Sequence, residues 1–170
     1  QKRADLLVVA TQDADHVWQA VEGLKLGYDL LLEKPVSASR EECLRLLETQ
    51  KKYGGKVLVC HVLRYAPSFR RAFDLLREGA IGRLVAIQAI EQVAYWHQAH
   101  SYVRGNWRRT EDTTPMILAK CCHDLDLLQW YANSPCESVS SVGGLTFFNA
   151  ENAPEGSAAP CSDCSLNDTC

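Results

Sequence analysis

The sequence predicts an α/β fold that opens on a parallel sheet and passes into an α+β part with a mostly antiparallel sheet. Three observations carry this. Short apolar runs alternate with helical periods through the first sixty or so residues, joined by short links. The first run, Leu6 to Ala10, is apolar throughout, as in a parallel strand buried on both faces. Beyond residues 62–66 the pattern changes, and the segments 84–93 and 137–148 mix apolar and polar residues at strand length.

Taken in order, Leu6 to Ala10 is the first strand, and Thr11-Gln12-Asp13 opens a helix. Val17, Ala20, Val21 and Leu24 recur at helical spacing, and Gly27 ends that helix. Asp29 to Leu32 is the second strand. Ser39-Arg40-Glu41-Glu42 fits a capping box for a helix running to Tyr53, stopped by Gly54-Gly55. Lys56 to Cys60 is the third strand. Pro67 to Glu78 places Phe69, Ala72, Phe73 and Leu76 on one helix face. His97 to Asp112 reads as a long functional loop, Pro115 to Ala132 as one helix, and the tail from Asn149 as loop. The domain division falls at residues 1–63 and 64–170.

Composition excludes several functions. With 18 basic against 21 acidic residues the net charge is -3, which gives no field for nucleic acid and no polybasic membrane anchor. No apolar run approaches the roughly 20 residues of a membrane helix. Leu6 to Ala10 is shorter than the roughly 7–15 apolar residues of a secretion signal. The expected location is the cytoplasm, with reduced thiols. The chain starts at Gln1 rather than Met, so it is expected to begin downstream of the translation start.

Parallel sheets gather their chemistry beyond the carboxyl ends of the strands. Three segments qualify here: Thr11-Gln12, Glu33-Lys34-Pro35, and His61 to Tyr65. Pro35 removes a backbone donor and biases Lys34 away from helix, aiming two charged side chains off the strand end. A carboxylate there accepts from ribose hydroxyls, and a lysine binds a substrate oxygen or moves a proton. The same tripeptide also fits an ordinary surface turn.

On a continuous helix Lys120, His123, Asp124 and Leu127 share one face, and Asp126 lies within reach of His123. Histidine is the side chain suited to pass a proton near neutral pH. A satisfied histidine at a domain contact fits equally. The loop 97–109 sets His100, Tyr102 and Arg104 among aromatic rings, which suits a polyhydroxylated ligand, and equally a solvated loop or an oligomer contact. Cys161 and Cys164 stand in C-x-x-C spacing with Cys170 close behind. A structural zinc or iron–sulfur site would use them but needs a fourth ligand.

Together these segments resemble the Gfo/Idh/MocA oxidoreductase family. The resemblance runs in order through Ala10 to His16, Gly27 to Pro35, Arg64-Tyr65 with Pro67, Gly79 to Gly82, and Lys120 to Asp126. It implies the second half of a Rossmann dinucleotide-binding domain, followed by a substrate-binding and dimerisation domain, with the fold truncated at both ends. It implies an NAD- or NADP-dependent enzyme moving a hydride to or from a hydroxyl-bearing carbon of a sugar or cyclitol, working as a homo-oligomer when full length. Thr11, Gln12, His16, Glu33, Lys34 and Pro35 would line the cofactor. Lys34, Lys120 and His123 would be catalytic. Arg64, Tyr65, His100, Tyr102, Arg104 and Asp126 would meet substrate.

Two departures stand out. Ala119 occupies the position where many members carry Asp, with Lys120 beside it. No G-x-G-x-x-G turn, the pyrophosphate cradle, occurs in the chain, so it is expected upstream of Gln1. A non-catalytic ligand binder or scaffold that retains the fold is the alternative.

Overall fold

The structure is a computed structural model and describes residues 2–169. It forms two compact units, one up to Cys136 and one from Glu137 onward. The first unit begins with β1 (Leu6–Val9), α1 (His16–Lys25), β2 (Asp29–Leu32), α2 (Arg40–Tyr53) and β3 (Val57–Val59). The strands are parallel in the order β1-β2-β3, with Val8 opposite Leu31 and Leu31 opposite Leu58.

Each crossover steps the sheet in the same direction. Right-handed connections therefore put both helices on one face, where α1 packs against α2. Val9, Leu30 and Leu32 from the sheet meet Val17, Ala20, Val21, Leu24 and Leu46 from the helices in one core. Gly23 lets α1 lie close to the sheet, since a Cβ there would sit 2.7 Å from Leu7 Cδ2. The opposite face is uncovered. Leu6 and Val8 are 52% and 57% exposed, which corrects the expectation that β1 is buried on both sides. An unbroken apolar run says that both faces are apolar, not that both are covered.

Ser39 caps α2 by accepting from Glu42 N at 3.3 Å. Glu42 does not return to the Ser39 amide as a capping box requires. It accepts from the Ser37 hydroxyl instead, and Ser37 Oγ accepts from Ser39 N.

The longer regular elements in the rest of the first unit are helical: α3 (Pro67–Arg77), α4 (Tyr95–His97) continuing as a π-helical stretch (Gln98–Val103), α5 (Met116–Ala119) and α6 (Cys122–Ala132). Phe73 of α3 stacks on Trp130 of α6 with centroids 4.1 Å apart, and Tyr131 donates to Phe69 O. The second unit carries two short 3₁₀ turns, Ala150–Asn152 and Cys161–Asp163.

The mostly antiparallel sheet expected of residues 64–170 is not there. Among the described residues the segments 84–93 and 137–148 join no ladder. Val85 is 87% exposed and Val142 99% exposed. Alternating residues give a segment a face but not a partner, and a strand exists only by pairing. Two helical expectations also change. The loop predicted over residues 97–112 starts as helix, and the helix predicted over residues 115–132 is broken at Lys120 and Cys121. No helix among the described residues is long and apolar enough to cross a membrane.

Candidate functional site

Three parallel strands end on the same edge, so their following loops are neighbours. After β1, Thr11 and Gln12 are exposed, and Thr11 Oγ1 pairs with Gln19 Oε1 at 3.0 Å. His16, at the start of α1, is only 1% exposed. Its Nδ1 lies 2.8 Å from Pro35 O and its Nε2 3.1 Å from Thr11 O. One imidazole thus joins the loop after β1 to the loop after β2. The peptide between Lys34 and Pro35 is cis. Glu33 accepts from Lys34 N at 3.2 Å.

The break between α5 and α6 explains where Lys34 goes. In a continuous helix the Ala119 carbonyl would accept from His123 N. His123 N instead turns to Lys120 O at 3.2 Å. The released Ala119 carbonyl accepts from Lys34 Nζ at 2.8 Å. A lysine after the second strand is thereby fixed against a segment 85 residues away. Lys120 caps α5 rather than lying on the face of α6, so the single helical face expected to carry Lys120, His123 and Asp124 does not form.

Asp13 draws in a second distant segment. Its Oδ2 accepts from Trp107 Nε1 at 3.2 Å and from the hydroxyl of the buried Thr114. A cavity of about 190 Å³ results, bounded by Asp13, Lys34, Pro35, Ala119 and Lys120 on one side and by His97, Ser101, Tyr102 and Trp107 on the other. A larger hollow of about 270 Å³ also touches Asp13, but it is lined by Ser37, Glu42 and residues 110–114 and holds no lysine or histidine. The smaller cavity therefore has the chemistry.

A second cluster surrounds His123. Arg64 donates twice to Asp126, Nε to Oδ2 and a terminal nitrogen to Oδ1, both at 2.7 Å. This bidentate pair holds the Arg64 guanidinium above its ordinary range. His61 Nδ1 is 3.9 Å from Asp126 Oδ2, and the His61 and His123 rings meet edge to face at 6.0 Å. Nδ1 of each histidine is buried without a hydrogen bond.

Burial pushes the His123 imidazole down, and Lys34 and then His61 push it further, against Asp124 and Asp126. Because the folded value lies below the ordinary 6.5, the unfolded chain binds the proton first as pH falls. This ring therefore makes stability decline as pH drops from the ordinary value towards the lowered one. Lys34→Met is expected to move the His123 titration up towards 6.5, read from its imidazole signals by NMR. An unmoved midpoint would mean that the lysine charge does not reach the ring.

The candidates thus separate into groups. Lys34, Pro35, Lys120 and Tyr102 border the cavity. Arg64, Asp126 and His123 form the neighbouring cluster. His16 is buried and Glu33 half-buried in the segments that follow β1 and β2, and neither lines the cavity. Tyr65, His100 and Arg104 are exposed and do not line the cavity, and Tyr65 lies within electrostatic reach of Arg64. Sequence reasoning missed Asp13, and within the loop 97–109 it singled out His100, Tyr102 and Arg104 rather than His97 and Trp107. Asp13 had the look of a helix-opening residue, and only contact with residues 107–114 gives it a further role. Cys161 and Cys164 are brought to no metal-holding group: among the described residues no three His, Cys, Asp or Glu side chains gather to hold an ion. Cys170 lies outside the described residues.

Comparison with known proteins identifies the family. Residues 1–61 match the model for the oxidoreductase family with an NAD-binding Rossmann fold. Residues 69–159 match that for the GFO/IDH/MocA C-terminal domain. The protein YteT of Bacillus subtilis (strain 168) is 27% identical over 99% of this chain and 40% of its own length. The inositol 2-dehydrogenase of Acidothermus cellulolyticus is 26% identical over 89% of this chain and 41% of its own. The WlbA dehydrogenase of Bordetella pertussis, solved in complex with NADH and UDP-GlcNAcA, superposes with a TM-score of 0.58 at 25% identity, over 77% of this chain and 38% of that one. The chain spans about two fifths of the length of these relatives.

Proposed function

Because the chain belongs to the GFO/IDH/MocA oxidoreductase family, we propose that it is part of an NAD- or NADP-dependent oxidoreductase acting on a hydroxyl-bearing carbon of a sugar or cyclitol. The observation that carries the reading is Lys34 at the end of β2, held by the Ala119 carbonyl on the wall of a polar and aromatic cavity. Relatives named for inositol and 1,5-anhydro-D-fructose support the substrate class. Residues 1–63 serve the cofactor side and residues 64–170 the substrate side. A cytoplasmic, homo-oligomeric enzyme goes with the reading.

The strand-end residues fit the nicotinamide–ribose half of such a cofactor. Thr11 and Gln12 offer exposed polar groups, and the Glu33 carboxylate suits ribose hydroxyls. His16 ties Pro35 to Thr11 and so fixes the floor on which that half would rest. When bound, the cofactor supplies the hydride chemistry.

The chain's own residues handle the proton. His123, lowered by burial and by Lys34, is neutral near pH 7 and so able to accept a hydroxyl proton. The Lys34 ammonium, already oriented by one hydrogen bond, stabilises negative charge developing on the substrate oxygen. Lys120 is a second cation in reach of the substrate. Arg64 and Asp126 hold each other and set the surroundings of His123.

The test is to incubate the protein at its natural full length with a panel of sugars and cyclitols, supplying NAD and NADP in turn, and to follow reduced-nicotinamide absorbance. The reading expects turnover with at least one polyol. No turnover and no cofactor binding with any of them would refute it.

A further inference from the structure

The charges of the cavity are out of balance. Lys34 and Lys120 both border it, and Asp13 is its one acidic residue. Among the described residues neither lysine has a carboxylate within ion-pair distance. The Asp13 carboxylate already accepts from Trp107 and Thr114. Lys34 is committed to the Ala119 carbonyl. No hydrogen bond of the described residues occupies the Lys120 ammonium. Its backbone turns out of the α5 helix, with φ -110°, and this turn sets Lys120 on the cavity wall.

We propose that the substrate is an acidic monosaccharide, a uronic acid or a close analogue, whose carboxylate pairs with Lys120 while its ring packs against Trp107 and Tyr102. This rests on the oxidoreductase reading and narrows its substrate. The size agrees: a cavity of about 190 Å³ holds several waters and so has room for one sugar ring. The charge agrees as well. Two lysines against one aspartate leave a single positive charge, which one carboxylate neutralises. No arginine lines the cavity, and the planar fork suited to a doubly charged phosphate is therefore missing. The aromatic walls match the apolar face of a pyranose.

The experiment uses the full-length protein with nicotinamide cofactor and matched pairs, galacturonate with galactose and glucuronate with glucose. Binding is read by titration calorimetry and turnover by reduced-nicotinamide absorbance. A charge-assisted hydrogen bond in a sheltered site implies that the acidic member of a pair binds on the order of 10- to 100-fold more tightly. Lys120→Met is expected to bring the two members of each pair level, and Lys120→Arg to restore part of the preference. Equal binding of both members to the unaltered protein overturns the proposal, as does a preference that survives in Lys120→Met. Turnover of neutral sugars with no acidic preference would sink this inference and leave the oxidoreductase reading intact. Acidic preference in binding without any turnover would uphold the inference and count against the enzyme.

Discussion

Lys34→Met is expected to reduce kcat/KM for hydride transfer by about 10²- to 10⁴-fold, the usual worth of a positioned group that handles a proton or its charge. The side chain keeps its apolar length, so the loss isolates the ammonium. Two jobs disappear together: the charge facing the substrate oxygen, and the hydrogen bond to Ala119 O at 2.8 Å. The structural share is about 1–3 kcal/mol, because the part-buried Ala119 carbonyl is left without its donor. The variant should therefore fold, with a melting temperature lowered by several degrees. Lys34→Arg separates the two jobs further, because it keeps the charge but changes the donor geometry. A Lys34→Met enzyme with rates within threefold of native (about 0.7 kcal/mol at 1.4 kcal/mol per tenfold) would remove Lys34 from the mechanism.

His16→Ala is expected to cost about 3–5 kcal/mol of stability. The ring is 1% exposed and lies between Pro35 O and Thr11 O. Its loss leaves the buried Pro35 carbonyl without its partner, at about 1–3 kcal/mol, and adds a cavity. Urea denaturation followed by circular dichroism measures this. His16→Asn, which can still reach one carbonyl, is expected to fall in between. A loss below about 1 kcal/mol would mean that the two loops are held together by other contacts.

The first three strands and two helices were legible because their patterns are local. Leu6 to Val9 and Asp29 to Leu32 are apolar and short, and Gly27 and Gly54 mark the helix ends, each at positive φ. The position of the Glu33-Lys34-Pro35 turn was legible for the same reason, since it directly follows β2. What was not legible depends on partners. The uncovered face of β1 follows from the direction in which the sheet grows, and Val8 does not encode that direction. Residues 84–93 carry a strand pattern, but pattern alone cannot supply the neighbour that makes a ladder. The break at Lys120 and Cys121 sits in a stretch without glycine or proline, where Cys121, Cys122, His123 and Asp124 are weak helix formers but not breakers. The carbonyl it releases is matched only by a lysine 85 positions earlier. Asp13 likewise shows its second use only once Trp107 and Thr114 arrive.

The hydrogen bonds to Asp13 bear on the order in which the chain assembles. Pairing β1 with β2 closes a loop of 23 residues, from Leu6 to Asp29. Seating Trp107 and Thr114 on Asp13 closes loops of 94 and 101 residues. Each doubling of loop length costs about 0.6 kcal/mol of chain entropy, so the later closures are dearer by about 1.2 kcal/mol before anything is gained. The three-stranded sheet with α1 and α2 is therefore the natural early nucleus, and the cavity wall docks onto it afterwards. Substitutions at Asp13, Trp107 or Thr114 would then speed unfolding far more than they slow folding, whereas changes in the core around Leu24 and Leu32 would slow folding itself.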